Sequence, residues 1–377
     1  MDIKIFFNSI DESLIGAELP HDSFLKNCKV NFGLMPDYQG ADIALIGLPH
    51  PEGASMALRK KLYSLKKGTG AYKIVDLGNI REGHDAEETH NRVREVCETL
   101  LSQNVLPMLI GGTHDYSYAQ YRAYESMDKL ISVMAIDAFL DMEDAEISAP
   151  NHCHTQKLLL HQPNYLFNYC HLAYQSYLVN PVETSVLERL YFETYRLGQI
   201  RENMHEMEPV IRNVDMLSFD ITAIKMSDAP GTERAQPFGL TGEEACQICW
   251  YAGLNEKLSA LGFYEYDPAF DDARGRTASV VATMIWYFIE GFYHRKNDKG
   301  FKSNDYIRYV VSMQKDPATM VFYKSIFTEK WWLEVPYPFE KNKYARNCIV
   351  PCSYSDYETA LKGQLPERWL QTYAKLI

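Results

Sequence analysis

The sequence predicts an α/β fold built on a parallel sheet with helices on both faces. Three observations point there. Apolar runs of strand length alternate with amphipathic stretches. The runs are apolar on both faces, as in a sheet with no wet side. Acidic residues and a histidine fall just beyond the ends of several runs, where parallel sheets place their ligand sites.

The elements follow in order. ADIALIGLP (41–49) and AYKIVDLGNI (71–80) are expected strands. EETHNRVREVCETLLSQN (87–104) is an amphipathic helix, because Val93, Val96, Cys97 and Leu100 repeat at helical spacing. VLPMLIGGT (105–113) is a strand running into a glycine turn, DYSYAQYRAYESMD (115–128) a helix, and ISVMAID (131–137) the next strand. QSYLV (175–179) and MLSFDI (216–221) are expected strands around the helix PVETSVLERLY (181–191). GEEACQICWYAGLN (242–255) is a helix and ALGFYEYDP (260–268) a strand. RTASVVATMIWYFIEGFYHR (276–295) is a long, mostly apolar helix. From Lys302 the alternation stops and aromatic residues cluster instead.

Composition excludes several classes of function. A net charge of −12 argues against nucleic acid as a partner and is mildly favourable for cationic ligands. No apolar run reaches the roughly 18 residues of a membrane span. The start, MDIKIFFNSIDE, lacks the basic and apolar regions of a signal peptide. Eight scattered cysteines suit a cytoplasmic chain with reduced thiols. Cys246 and Cys249 share a helix face and read as core, and Cys348 and Cys352 read as loop packing.

The strand ends carry the chemistry. His114 follows one strand, Asp137 and Asp141 the next, Asp220 a third and Glu265 a fourth. Taken singly, an aspartate at a strand end caps the following helix. Taken together, one imidazole with several carboxylates suits Mn²⁺, Mg²⁺ or Fe²⁺ better than structural zinc.

Four motifs make the resemblance specific: IGGTHD, AIDAFLD, SFDITAIKMSDAPGTERAQPFGLT and YEYDPAFDDARGRTA. In this order they resemble the arginase, or ureohydrolase, family, which includes agmatinase and formimidoylglutamase. The resemblance spans residues 41–296, and the third motif is its most specific part. It implies a three-layer α/β/α sandwich around a parallel sheet of about eight strands. It also implies a dinuclear Mn²⁺ site whose bridging hydroxide attacks a guanidinium or amidine carbon.

Carried over by position, His114, Asp137, Asp141 and Asp220 match family metal ligands, and all four serve one of the two ions. Both private ligands of the other ion are replaced, the histidine by Phe139 and the aspartate by Thr222. Neither replacement is an anionic or imidazole ligand. Half of a dinuclear site is therefore expected, holding one Mn²⁺ at most. Lys225 replaces a further acidic residue, and its ammonium is a candidate stand-in for the lost cation, against the plainer reading that it faces solvent. Glu265 matches the glutamate that receives the guanidinium. The stretch containing Asn151, His152, Cys153 and His154 matches the proton-shuttle loop, with His152 or His154 as the shuttle. Thr113 replaces an aspartate that would orient His114.

Two readings of function follow. In the first, the chain binds one divalent ion or none and has little or no hydrolysis of the family type. In the second, it is a single-metal C–N hydrolase acting on a linear amidine such as formiminoglutamate, or on a guanidino compound. Family members often form trimers or hexamers, so a homo-oligomer is an open expectation.

The expected division is an α/β/α domain over 1–301 and an extension over 302–377. The extension holds Phe322, Tyr323, Phe327, Trp331, Trp332, Tyr337 and Phe339. So many rings must cover either the chain's own sandwich or an interface.

Overall fold

Alternation of side chains across each strand accounts for the two covered faces of the sheet. In β3 (Ile43–Gly47), Ile43 and Leu45 enter one apolar core while Ala44 and Ile46 enter the other. A computed structural model describes residues 3–14, 19–298, 305–314, 316–337 and 348–376. Eight parallel strands lie side by side, as expected. Their order is β4 (Ile74–Ile80), β3, β5 (Leu106–Ile110), β10 (Ala260–Tyr264), β9 (Met216–Asp220), β6 (Ile131–Ile136), β7 (Leu166–Tyr174) and β8 (Glu193–Arg196). Two short strands extend the first edge, β1 (Phe7–Asn8) antiparallel and β2 (Lys29–Val30) parallel to β4.

The faces are covered as in a three-layer sandwich. Helices α1 (Ala54–Ser64), α6 (Leu197–Glu202), α7 (Met207–Ile211), α8 (Gly242–Leu254) and α9 (Arg276–Tyr293) build one core. Helices α2 (Ala86–Ser102), α3 (Tyr116–Arg122), α4 (Pro150–Leu159) and α5 (Pro181–Arg189) build the other. Local signals start several of them. Asp85 accepts from the Glu88 N–H at the head of α2, and Thr241 with Glu244 forms a capping box on α8.

Two expectations about elements need correcting. QSYLV is a turn, not a strand: the Leu178 N–H donates to the Gln175 carbonyl, and the Gln175 side chain is tied to the Phe238 carbonyl. The strand is β7 immediately before it. Its buried Asn168 and His171 disguise an apolar run, but both are satisfied, by Glu193 and by the Asp137 carbonyl. The stretch holding His152 and His154 is not a loop but the first half of α4, which starts at Pro150.

The C-terminal residues form a second, antiparallel sheet in the order β11 (Tyr306–Ser312), β12 (Thr319–Ser325), β13 (Trp331–Val335), β14 (Cys348–Cys352). Helices α10 (Tyr354–Leu361) and α11 (Glu367–Leu376) complete it. Phe322, Trp331, Leu333, Val350 and Trp369 form its own apolar core. Cys348 and Cys352 therefore lie in a strand, not in loop packing, while Cys246 and Cys249 pack in α8 as expected. Phe339 lies outside the described residues.

Candidate metal centre

Strand order brings together residues far apart in the chain. At the centre of the sheet β5, β10, β9 and β6 are consecutive neighbours, and each delivers its candidate residue from its carboxyl end. His114 follows β5 through a turn in which Gly111 and Gly112 both take left-handed backbone, at φ 74° and 80°. Glu265 follows β10, Asp220 ends β9, and Asp137 and Asp141 follow β6. Asp141 and Glu265 are themselves left-handed, at φ 48° and 63°. Such strain in non-glycine residues clusters at functional sites.

The imidazole is the hub. His114 Nδ1 lies 3.1 Å from Asp137 Oδ2, 3.2 Å from Asp220 Oδ2 and 3.8 Å from Asp141 Oδ2, all fully or almost fully buried. Its other nitrogen, Nε2, is 3.1 Å from Ser218 Oγ. Burial disfavours the imidazolium, but the three carboxylates outweigh it and hold the His114 pKa well above the usual histidine value.

The carboxylates are divided in a regular way. Each sends one oxygen outward to protein donors. Asp137 Oδ1 accepts from the Phe139 N–H at 2.9 Å and Thr222 Oγ1 at 2.8 Å. Asp220 Oδ1 accepts from the Thr222 N–H at 2.7 Å, and Asp141 Oδ1 meets the Arg234 guanidinium at 3.2 Å. The remaining oxygens all face His114 Nδ1. That nitrogen carries a single proton at most, and Asp141 Oδ2 and Asp220 Oδ2 accept no hydrogen bond at all. Leaving a buried acceptor unsatisfied costs about 1–3 kcal/mol, and more for a charged one.

A divalent cation fits this set. Ligands in cis positions around a small hard ion with bonds near 2.1 Å are separated by about 3 Å. The two shorter Nδ1–oxygen separations match that spacing, and the four ligand atoms lie within 4.8 Å of one another. His154 extends the cluster. Its ring centre is 4.1 Å from that of His114, and its Nδ1 is 3.8 Å from Asp141 Oδ2 and 2.9 Å from the Asn151 carbonyl. Burial, then the neighbouring His114 charge, push its pKa well down, so His154 is neutral near pH 7. His152 is not at the cluster; it turns toward Glu143, 3.7 Å away.

The other expected residues divide in the same way. Glu265 is buried beside the cluster, where Oε1 accepts from the His114 N–H at 2.7 Å and from Asn151 Nδ2 at 3.1 Å. Burial and the nearby Asp220 push its carboxyl pKa up to about 8. Lys225 is paired with Asp228, its Nζ 3.4 Å from the carboxylate. The cation at the Phe139 position is Arg234, whose guanidinium carbon is 4.1 Å above the centre of the ring. The sequence does not single out Arg234, although it sits inside the third motif. Three aspartates demand more positive charge than a histidine supplies only once folding has buried them together.

Fold and site together define the class. The chain belongs to the Arginase family, whose model matches residues 50–290. It is 25% identical to the formimidoylglutamase of Geobacillus sp. (strain WCH70) over 256 residues, covering 64% of this chain and 78% of that protein. It is 24% identical to the formimidoylglutamase of Staphylococcus aureus (strain MRSA252), covering 66% and 86%. The same architecture occurs in the crystal structure of Trypanosoma cruzi formiminoglutamase with Mn²⁺. There the TM-score is 0.63 at 22% identity, covering 69% of this chain and 96% of that one. The formimidoylglutamase of Bacillus subtilis gives 0.65 at 20% identity, covering 74% and 95%.

Proposed function

We propose that the protein is a single-metal hydrolase of a linear amidine of the formimidoylglutamate type. One observation carries the reading: two buried carboxylate oxygens, on Asp141 and Asp220, face an imidazole nitrogen with no hydrogen bond to satisfy them. This is the arrangement of a cation site, on the sheet edge where this fold puts its ligands. The formimidoylglutamase names of its relatives favour an active enzyme over the expectation of little or no hydrolysis.

His114, Asp137, Asp141 and Asp220 would hold the ion. When bound, Mn²⁺ or a similar ion supplies Lewis acidity that activates water near neutral pH. The chain's residues do the rest. Ser218 Oγ occupies Nε2 of His114, so Nδ1 is the nitrogen that would give up its proton to the carboxylate side and coordinate the ion. Glu265 receives the cationic amidinium, since a carboxyl raised by burial ionises readily when a positive partner arrives. His154 is the proton carrier, because it lies beside the cluster, 3.8 Å from Asp141 Oδ2, whereas His152 faces Glu143. In the reaction, the oxygen of water bonds to the amidine carbon. The bond from that carbon to the substituted nitrogen breaks, and the amine leaves with the proton.

The test pairs metal content with turnover. The protein purified with Mn²⁺ should contain one ion per chain and convert formimidoylglutamate to glutamate and formamide. One bound ion with no turnover of any amidine or guanidino substrate returns the function to a binding role. No bound metal overturns the reading.

A further inference from the structure

We propose that Arg234 is the permanent counter-cation of the site and that it limits the site to one divalent ion. The inference rests on the reading that the aspartate cluster binds metal. The guanidinium is anchored twice, by Asp141 Oδ1 at 3.2 Å and by the Phe139 ring face at 4.1 Å, and its side chain is only 19% exposed. Asp220 and Asp137 also act on it electrostatically. Both positions expected to serve a second ion are thus committed elsewhere: the Phe139 ring seats the arginine, and the Thr222 hydroxyl donates to Asp137 Oδ1 at 2.8 Å.

The charges then close. Asp137, Asp141 and Asp220 carry three negative charges when ionised. One divalent ion and Arg234 carry three positive charges. A second divalent ion would leave the buried site with two excess positive charges in all, one of them a guanidinium that does not deprotonate. Geometry agrees with charge. Asp137 Oδ1, Asp141 Oδ1 and Asp220 Oδ1, the oxygens turned away from His114, are each committed to a protein donor.

Two measurements test this on the full chain: Mn²⁺ affinity by calorimetry and Mn²⁺ content after dialysis. Arg234→Gln should bind the single ion at least about tenfold more tightly than wild type, since a nearby positive charge is gone. Arg234→Lys should stay within about threefold of wild type, which separates charge from loss of fold. Phe139→His with Thr222→Asp should still hold one ion per chain. Adding Arg234→Gln to that pair should raise the content toward two.

Wild-type affinity unchanged in Arg234→Gln, with one ion still bound, overturns the role of Arg234 and leaves the metal reading standing. Two ions in the Phe139→His, Thr222→Asp pair also overturns it. No ion in wild type or in Arg234→Gln overturns both.

Discussion

At the scale of single residues, the site turns on which atom of each side chain faces inward. His114 presents Nδ1 to the carboxylates because Ser218 Oγ, 3.1 Å away, occupies Nε2. Thr113, where a carboxylate was expected to orient the ring, leaves that work to Ser218. Ser218→Ala is therefore expected to weaken Mn²⁺ binding by about 10–100-fold, the usual effect of losing such a support, without unfolding the protein. Calorimetric titration checks it, and an unchanged affinity would show that burial alone orients the ring. Glu265 makes a different prediction. Glu265→Gln can keep the His114 N–H bond but not the negative charge, so it should raise KM for a cationic amidine at least tenfold. Metal content should stay at the wild-type value. A fall in kcat with KM unchanged would place Glu265 in the chemical step instead of in binding.

At the scale of elements, the strands that carry the site were legible because they are short, apolar and followed by a polar strand end. β7 was not, because its buried Asn168 and His171 read as surface residues until their partners on β8 and after β6 are known. Helix α4 was hidden by Pro150, which reads as a loop marker yet opens the helix. Of the site, the ligand set was visible through local motifs. Arg234 was not, since a cation in a loop acquires meaning only from what folding places across from it. Helix packing gives this scale its prediction. In α8, Gly253 sits where a Cβ would come within 2.3 Å of the Phe288 carbonyl of α9, and Gly291 of α9 makes the reciprocal approach to Trp250. Gly253→Ala should push the two helices apart and destabilise the fold by about 1–3 kcal/mol. Urea unfolding would measure it. A variant as stable as wild type would mean that the α8–α9 crossing relaxes freely.

At the scale of the whole molecule, the question is what the C-terminal sheet does for the sandwich. The two are joined by specific bonds rather than by loose contact. Arg212, almost wholly buried at the end of α7, donates to the carbonyls of Trp331 and Cys352, and its guanidinium stacks 4.4 Å from the Trp332 ring. Arg368 pairs with Glu206 at 3.2 Å, and Lys375 with Glu193 at 3.4 Å. These contacts favour cladding of the chain's own fold over an exposed docking arm. Removing residues 302–377 would strip Arg212 of both carbonyls and of its aromatic cover. Hydrogen bonds to a charged group contribute about 1.5–3 kcal/mol each, and a chain of this size loses about 1–2 °C of Tm per kcal/mol. The truncated protein should therefore melt at least about 3 °C lower, or aggregate, with Arg212→Ala in the full chain moving Tm the same way by a smaller amount. A truncated chain with unchanged Tm but a smaller mass in solution would instead make the sheet an interface between copies. Unchanged Tm and unchanged mass would make it an appendage of the sandwich, and the bonds from Arg212, Arg368 and Lys375 would then contribute nothing measurable to stability.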